Sequence, residues 1–354
     1  MAVTHQLPGR TIMLDGEERL YFSGTSYLGI GHNPVFQEAL REGMQRYGTH
    51  YGSSRSSNVR LAVYEEAEAL LAQWTGAEAA LTFSSGYLAG QAAAHQFAAG
   101  STARHYAPDA HPALWLHPSD GWHGDRKEWE ASLVEKVRTH AGPSVIVTDS
   151  VDSLLAQPYD YTWIQQLPSD REVTLLIDDS HGLGITGEHG AGIKPQIRPL
   201  LKNNVELVVT ASLGKALGVP GGVVLGTRRR IDSLMKSPFF TAGSPIIPAY
   251  LYAFLQVQSI YEEARQRLDQ NVAVFQELIA ATQLFQYFDH YPIFYTSHHD
   301  LATAVAPRCV LSSFPYPDPD STPITRVVVS SLHTQTDLEV LGEAVWGYMV
   351  ERAQ

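Results

Sequence analysis

Two segments of the chain, Leu175–Gly192 and Val208–Gly222, each begin as a short β-branched run and end in polar, glycine-rich residues. The first segment carries Asp178 and His181 just beyond its apolar run, and the second carries Lys215 among small residues. A lysine amine can form a Schiff base with a cofactor aldehyde, and a carboxylate can keep a pyridine nitrogen protonated. The combination predicts a site for pyridoxal 5'-phosphate (PLP).

Each of these residues also has an ordinary structural interpretation. Asp178 at the end of a strand could cap a helix or pair with a basic side chain, and Lys215 could lie on the surface. Burial of an amine among residues such as those around Lys215 would instead make it nucleophilic. The prediction of a PLP site therefore depends on the acid and the lysine occurring together.

Composition and charge restrict the class of protein. The 354 residues are 44% hydrophobic and 18% charged, which is typical of a globular chain with a sizeable core. A net charge of −12 argues against general binding to nucleic acid or to acidic membranes. Cys309 is the single cysteine, and neither a signal-like apolar start nor a membrane-length apolar run occurs. We therefore expect a cytoplasmic protein.

Helix-like and strand-like patterns alternate along the chain, as in an α/β fold. Helical spacing occurs at 33–48, where Val35, Leu40, Met44 and Tyr47 form the expected stripe, and again at 63–76. A long helical pattern from 246 to about 281 is expected to connect two domains. Short apolar runs, which predict a mostly parallel sheet buried on both faces, occur at 144–150, 174–178, 207–210 and 222–226.

In an open parallel sheet, ligands bind beyond the carboxyl ends of the strands. Four groups of residues are expected to meet in that cleft, at 85–87, 149–153, 178–181 and 212–215. Ser85, Gly86 and Tyr87 lie at a predicted strand-to-helix turn, where backbone N–H groups and the helix dipole attract a phosphate. A plain turn without a ligand would have the same sequence, so this signal is weak alone.

Taken together, these segments resemble the α-oxoamine synthase family, a group of fold-type-I PLP enzymes. The resemblance extends from about Tyr21 to the C-terminal helix, in one order throughout. The matching stretches are SYLGIGHNP, YGTHYGSSR, GAEAALTFSSGYLAG, DDSHGLGITGEHGAG and TASLGKALGVPGG, followed by Arg326 and the His333–Thr334 pair.

The resemblance implies a large domain with a mostly parallel sheet flanked by helices, and a smaller α+β domain built from both ends of the chain. It implies an N-terminal segment at 1–45, a PLP-binding domain at 46–245, and a connecting helix with the small domain at 246–354. The implied activity is PLP-dependent acyl transfer to an amino acid, with an acyl-CoA or acyl carrier thioester as the candidate second substrate.

The resemblance also implies a role for individual residues. Lys215 would bind the cofactor and transfer the substrate α-proton, Asp178 would pair with the ring nitrogen, and His181 would contact the ring oxygen. His111 would stack on the ring, and Arg326 would bind the substrate carboxylate. The remaining implied contacts are Ser85, Gly86, Tyr87 and Ser212 at the phosphate, Ser153 at the cofactor, and Ser244 from the partner subunit of a homodimer with shared active sites.

The chain departs from the family pattern at positions that affect the reaction. Ser26 replaces an asparagine near the substrate carboxylate, a serine-rich HYGSSRSSN replaces a glycine-rich stretch, and LLAQ follows Ser153 in place of MDGD. Aminotransferase chemistry, aldol cleavage and racemisation on the same fold therefore remain alternatives to acyl transfer. A metal-dependent hydrolase using the His and Asp residues near position 180 is the alternative without PLP, although no HExxH motif occurs.

Overall fold

The computed structural model describes residues 3–98, 100–120, 124–316 and 318–353. The chain divides into two compact units, each assembled from separate stretches of sequence. The larger unit comprises Pro34–Val151 and Tyr159–Gln258, and the smaller unit comprises Met1–Asn33, Asp152–Pro158 and Ser259–Gln354.

The strands and helices are numbered in chain order. The strands are β1 (Thr11–Leu14), β2 (Glu17–Phe22), β3 (Ala79–Phe83), β4 (Ala103–Tyr106), β5 (Ser144–Asp149), β6 (Val151–Asp152), β7 (Gln157–Pro158), β8 (Val173–Asp178), β9 (Val205–Ser212), β10 (Gly222–Gly226), β11 (Ile293–Thr296), β12 (Cys309–Pro315) and β13 (Pro323–Val328). The helices are α1 (Pro34–Tyr47), α2 (Ala62–Thr75), α3 (Gly86–His95), α4 (Arg126–Thr139), α5 (Lys194–Ile197), α6 (Arg228–Leu234), α7 (Pro238–Thr241), α8 (Pro248–Gln256), α9 (Gln258–Ile279), α10 (Leu301–Ala304) and α11 (Gln335–Ala353). Among the described residues, no helix is both long and apolar enough to cross a membrane.

The larger unit contains a sheet with the strand order β3-β10-β9-β8-β5-β4. Strands β4, β5, β8 and β9 are parallel, whereas β10 is antiparallel to both β9 and β3. Every residue of β8 and of β3 is buried, because these apolar runs are covered on both faces. The predicted α/β fold with a mostly parallel sheet is confirmed, and each of the four apolar runs lies in a strand of it.

The smaller unit contains a second sheet, with the strand order β1-β2-β12-β13-β11. Strands β2 and β12 pair in parallel, and the other neighbours pair antiparallel. Its strands come from both ends of the chain, which agrees with the fold that the family resemblance implies.

The two helices predicted near the N-terminus are present, but one of them buries a different face. Helix α1 buries Phe36, Ala39 and Gly43, whereas Val35 is 55% exposed and Met44 is 40% exposed. The predicted stripe through Val35 and Met44 is therefore wrong. The reason is close packing of α1 against α8, which requires the small side chains of Ala39 and Gly43 at the contact.

The long helical pattern from 246 to about 281 forms two helices. Val257 has φ −122° and ψ 38°, which ends α8 before α9 begins at Gln258. The compact units also divide near this break and after Asn33, whereas the predicted boundaries lie at 45/46 and 245/246. Helices α1 and α8 pack on each other, so both belong to the larger unit.

We expect Gly43→Gln to destabilise the protein, because a Cβ at Gly43 would lie 2.7 Å from the carbonyl oxygen of Ala249. Forced separation of α1 from α8 should lower the free energy of unfolding by about 1–3 kcal/mol in urea titrations. Gly52→Gln is the matched control, because a Cβ there meets nothing within 4 Å. Equal stability of the two variants would contradict this packing.

Candidate functional site

The larger unit gathers the carboxyl ends of several strands at one edge of its sheet. Asp149, Asp178 and Thr210 are register partners across β5, β8 and β9. Gly222 of the antiparallel β10 pairs with Ser212 on one side and with Phe83 at the end of β3 on the other. The loops that follow β3, β5, β8 and β9 therefore start from the same edge.

Lys215 lies in the loop after β9, and its Nζ is 2.8 Å from Nε2 of His181 in the loop after β8. The Lys215 loop is closed on itself, since the amide of Leu213 donates to Gly221 and the amide of Val219 donates to Leu213. Lys215 is half-buried. The fold thus holds the lysine amine and the imidazole within hydrogen-bond distance.

Asp178 is the acid that faces this group. It is buried, and its Oδ1 accepts a hydrogen bond from the amide of Ser180 at 2.8 Å. Desolvation lowers the pKa of the His111 imidazole, and the negative charge of Asp178 partly opposes this, so Asp178 and His111 are electrostatic neighbours. The carboxylate, the imidazole of His111 and the amine of Lys215 therefore share one environment.

Asp179 has a different role from its neighbour. Its Oδ2 accepts the amide hydrogen of Ile193 at 2.8 Å. A Cβ at either Gly182 or Gly192 would lie 2.0 Å from one of its carboxylate oxygens. The loop that carries His181 thus encloses the carboxyl group of Asp179.

His111 begins a short 3-10 turn after β4. Its Nδ1 accepts the amide hydrogen of Ala113 at 3.1 Å, and its own amide donates to Oδ1 of Asp149 at 3.0 Å. Desolvation by the surrounding protein lowers the pKa of His111, and the positive charge of Lys215 acts in the same direction. The residue is therefore a neutral imidazole, and it retains an exposed surface.

The turn after β3 provides an anion site of the kind found at helix N-termini. Ser85 is the N-cap of α3, and its Oγ accepts the amide hydrogen of Leu88 at 3.0 Å. A Cβ at Gly86 would lie 2.7 Å from Cβ of Ser212, so the turn passes directly over the end of β9. Tyr87 is 59% exposed. The N–H groups of the first helical turn can therefore hold a phosphate.

The remaining predicted site residues are distant in sequence from the loops described above. One of them belongs to the larger unit, and the others belong to the smaller unit. Ser244 is exposed in the loop between α7 and α8. In the smaller unit, Arg326 is buried on β13 and donates from Nη1 to the carbonyl of Ser153. Ser26 is exposed at a turn in which its carbonyl accepts the amide hydrogen of Gly29.

Sequence reasoning gave no individual role to Asp149 and Ser180. The hydroxyl of Ser180 accepts the amide hydrogen of Ser212 at 2.8 Å, which ties the ends of β8 and β9 together. The position of Asp149 after an apolar run was a signal, but its contact with His111 depends on a loop that sequence patterns do not describe. Within the described residues, no group of three or more His, Cys, Asp or Glu side chains is arranged to hold a metal ion.

Comparison with known proteins places the chain among PLP enzymes. The family model for aminotransferase class I and II matches residues 113–344. An 8-amino-7-oxononanoate synthase of Herminiimonas arsenicoxydans is 32% identical over 266 residues, covering 72% of this chain and 68% of the relative. That of Dechloromonas aromatica is 28% identical over 355 residues, covering 94% of this chain and 90% of the relative.

Solved structures share the fold. Serine palmitoyltransferase of Sphingomonas wittichii superposes with a TM-score of 0.82 at 16% identity, covering 99% of this chain and 93% of that one. An 8-amino-7-oxononanoate synthase of Francisella tularensis superposes with a TM-score of 0.71 at 20% identity, covering 95% of this chain and 99% of that one. The similarity spans both sheets of the chain.

We expect Asp179→Asn to gain stability relative to the unmodified protein as the pH rises. Burial raises the pKa of Asp179 to about 7, and the hydrogen bond from Ile193 opposes this rise. An acid with a raised folded-state pKa stabilises the fold below its unfolded pKa, and this contribution is lost as the pH passes the folded value. Urea titrations from about pH 4 to about pH 8 measure the effect.

Asp170→Asn serves as the control, because it removes an acid whose side chain is 74% exposed. A difference between Asp179→Asn and the unmodified protein that stays constant over the whole pH range would contradict the enclosed position of Asp179.

Proposed function

The chain belongs to the aminotransferase class I and II family, and on that premise we propose that it condenses an amino acid with an acyl-CoA thioester. It is a PLP-dependent transferase of the α-oxoamine synthase group. The observation that carries the proposal is the 2.8 Å approach of Lys215 Nζ to His181 Nε2 beside the buried Asp178. These are the amine, the acid and the imidazole that the cofactor requires.

The residues of the larger unit fit PLP chemically. An amine, a buried carboxylate and the N-terminal turn of a helix match the aldehyde, the ring nitrogen and the phosphate of the cofactor. When bound, PLP supplies an aldehyde that condenses with amines and a ring that accepts electrons from the substrate Cα. The side chains determine which proton moves and which bond is oriented for cleavage.

Lys215 is the proposed base. Nζ would hold the cofactor aldehyde and would be the group that accepts the α-proton of the substrate. His181 Nε2 lies within hydrogen-bond distance of Nζ, and it would contact the ring oxygen of the cofactor. Asp178 would hold the ring nitrogen, whereas Asp179 is held inside the loop by the amide of Ile193.

The phosphate and ring contacts come from neighbouring loops. The turn of Ser85, Gly86 and Tyr87 would hold the phosphate together with Ser212, whose Oγ lies 3.3 Å from the amide nitrogen of Gly214. The imidazole of His111, whose pKa is lowered by desolvation, would stack on the ring, since a neutral imidazole packs against an electron-poor aromatic ring without electrostatic repulsion.

Arg326, Ser153 and Ser26 are the proposed contacts of the smaller unit. Arg326 is 6% exposed, and its Nε has no hydrogen-bond partner among the described residues. A buried guanidinium with an unused donor favours a carboxylate, which an amino acid substrate supplies. Ser153 contributes a cofactor contact, and Ser26 lies at the substrate carboxylate in the place of the family's asparagine.

We also propose a homodimer with shared active sites. The larger unit exposes large apolar side chains, and an isologous contact would bury both copies of them. They are Val35, Met44, Val59, Tyr87 and Met235. The exposed Ser244, in a loop rich in glycine and proline, is the residue that would reach the phosphate of the partner subunit.

Borohydride reduction of the purified, yellow protein should fix a pyridoxyl group on Lys215, because that amine lies beside His181 and Asp178. Peptide mapping by mass spectrometry identifies the labelled lysine.

With a panel of amino acids and acyl-CoA thioesters, a thiol reagent should detect CoA release that Lys215→Ala abolishes. Lys202→Ala is the control, because Lys202 instead donates to the carbonyl of Leu167. Label on another lysine would refute the assignment, and amino-group transfer without CoA release would refute acyl transfer.

Mixing the Lys215→Ala and Ser244→Ala chains tests the shared site. Some hybrid dimers would contain one site with both native residues, so activity should rise above that of either variant alone. Subunit exchange is verified with differently tagged chains. Absence of recovery despite exchange, with a clear loss of PLP affinity in Ser244→Ala, would exclude a contribution of Ser244 across the interface.

A further inference from the structure

We propose that Asp149 is a positioning residue of the cofactor site, which acts as a neutral hydrogen-bond acceptor that fixes the His111 turn. This inference rests on the proposed function, because it concerns the imidazole assigned to the face of the PLP ring. Asp149 is hydrogen-bonded to the backbone of His111. It acts through His111.

The contact is between a strand end and a loop amide. Asp149 is the last residue of β5, and its Oδ1 accepts the amide hydrogen of His111 at 3.0 Å. The ring of His111 is fixed in turn, since Nδ1 accepts the amide hydrogen of Ala113 and the His111 carbonyl accepts that of Leu114. Asp149 holds the backbone of the turn, and the turn holds the imidazole.

A second set of contacts anchors the loop that leads to His111. Arg126 donates from Nη1 to Oδ1 of Asp109 at 2.7 Å, and the hydroxyl of Tyr159 donates to the other carboxylate oxygen. The Arg126 guanidinium lies 3.3 Å from the centroid of the Tyr159 ring. The hydroxyl of Tyr161 donates to the Asp149 carbonyl, so the strand end is held as well.

The charge of Asp149 is constrained by its neighbour. Asp149 and Asp178 are register partners on adjacent strands, so their carboxyl groups share one end of the sheet. Desolvation first, and the negative charge of Asp178 second, raise the pKa of Asp149 well above its usual value. Asp178 is the acid proposed for the ring nitrogen, and Asp149 serves as a neutral acceptor. The side chain of an asparagine at position 149 could accept the same hydrogen bond.

The test compares Asp149→Asn, which keeps an acceptor oxygen, with Asp149→Ala, which removes it. Asp160→Asn is the control, an exposed acid that caps a nearby turn through Thr162. The first readout is amide hydrogen exchange of residues 107–114 in the PLP-free protein, followed by mass spectrometry. The second is PLP affinity with the visible absorbance of the bound cofactor.

We expect exchange in 107–114 to stay slow in Asp149→Asn and to accelerate at least about tenfold in Asp149→Ala, where a donor loses its partner. PLP affinity should fall about tenfold in Asp149→Ala and stay within about threefold in Asp149→Asn. Asp178→Asn should instead retain PLP while losing roughly a hundredfold in turnover. Equal defects in the Asn and Ala variants of Asp149 would overturn the neutral-acceptor role.

A double-mutant cycle with His111→Ala separates positioning from a general loss of structure. If Asp149 acts through His111, Asp149→Ala should not weaken PLP binding further in the His111→Ala background. Additive losses would overturn the proposal. If the unmodified protein failed to bind PLP at Lys215, the proposed function would fall, and the exchange measurement would still decide whether Asp149 fixes the His111 turn.

Discussion

The hydrogen bond from the Ile193 amide to Asp179 closes the loop on which the chemistry of the larger unit depends. That loop carries His181, and His181 lies 2.8 Å from the amine of Lys215. Glycine is required at Gly182 and Gly192, because a Cβ at either position would overlap the Asp179 carboxyl group. The buried Asp179 thus helps to determine where the imidazole proposed to contact the cofactor lies.

Three acids at the end of one sheet have separate functions because their environments differ. Asp179 is enclosed by its own loop, and Asp149 accepts the amide hydrogen of His111. Asp178 accepts the amide hydrogen of Ser180 and acts electrostatically on the imidazole of His111. Adjacent buried carboxyl groups disfavour one another's ionisation. Burial raises the pKa of both Asp149 and Asp179, and the negative charge of Asp178 adds to this rise.

The sequence predicts the parts of this arrangement that depend on local pattern. Apolar runs identify β5, β8, β9 and β10, and the residues that follow them bring Asp178 and Lys215 to one edge. Patterns do not predict contacts that depend on tertiary packing. The buried face of α1 is selected by α8, and the role of Asp149 appears only when the His111 turn is placed beside β5.

The same physical argument explains why the reaction type is harder to predict than the cofactor. Cofactor contacts arise from strand ends and helix caps, which leave strong local signals such as the Ser85 cap and the glycine-flanked Lys215. The proposed substrate contacts rest on side chains such as Arg326, whose burial beside Phe314 on the second sheet is a tertiary property. A guanidinium that is buried with an unused Nε–H gains most from a carboxylate, since a neutral ligand would leave its charge uncompensated. Arg326 therefore favours a substrate that carries a free carboxylate, whichever bond at the substrate Cα is subsequently broken.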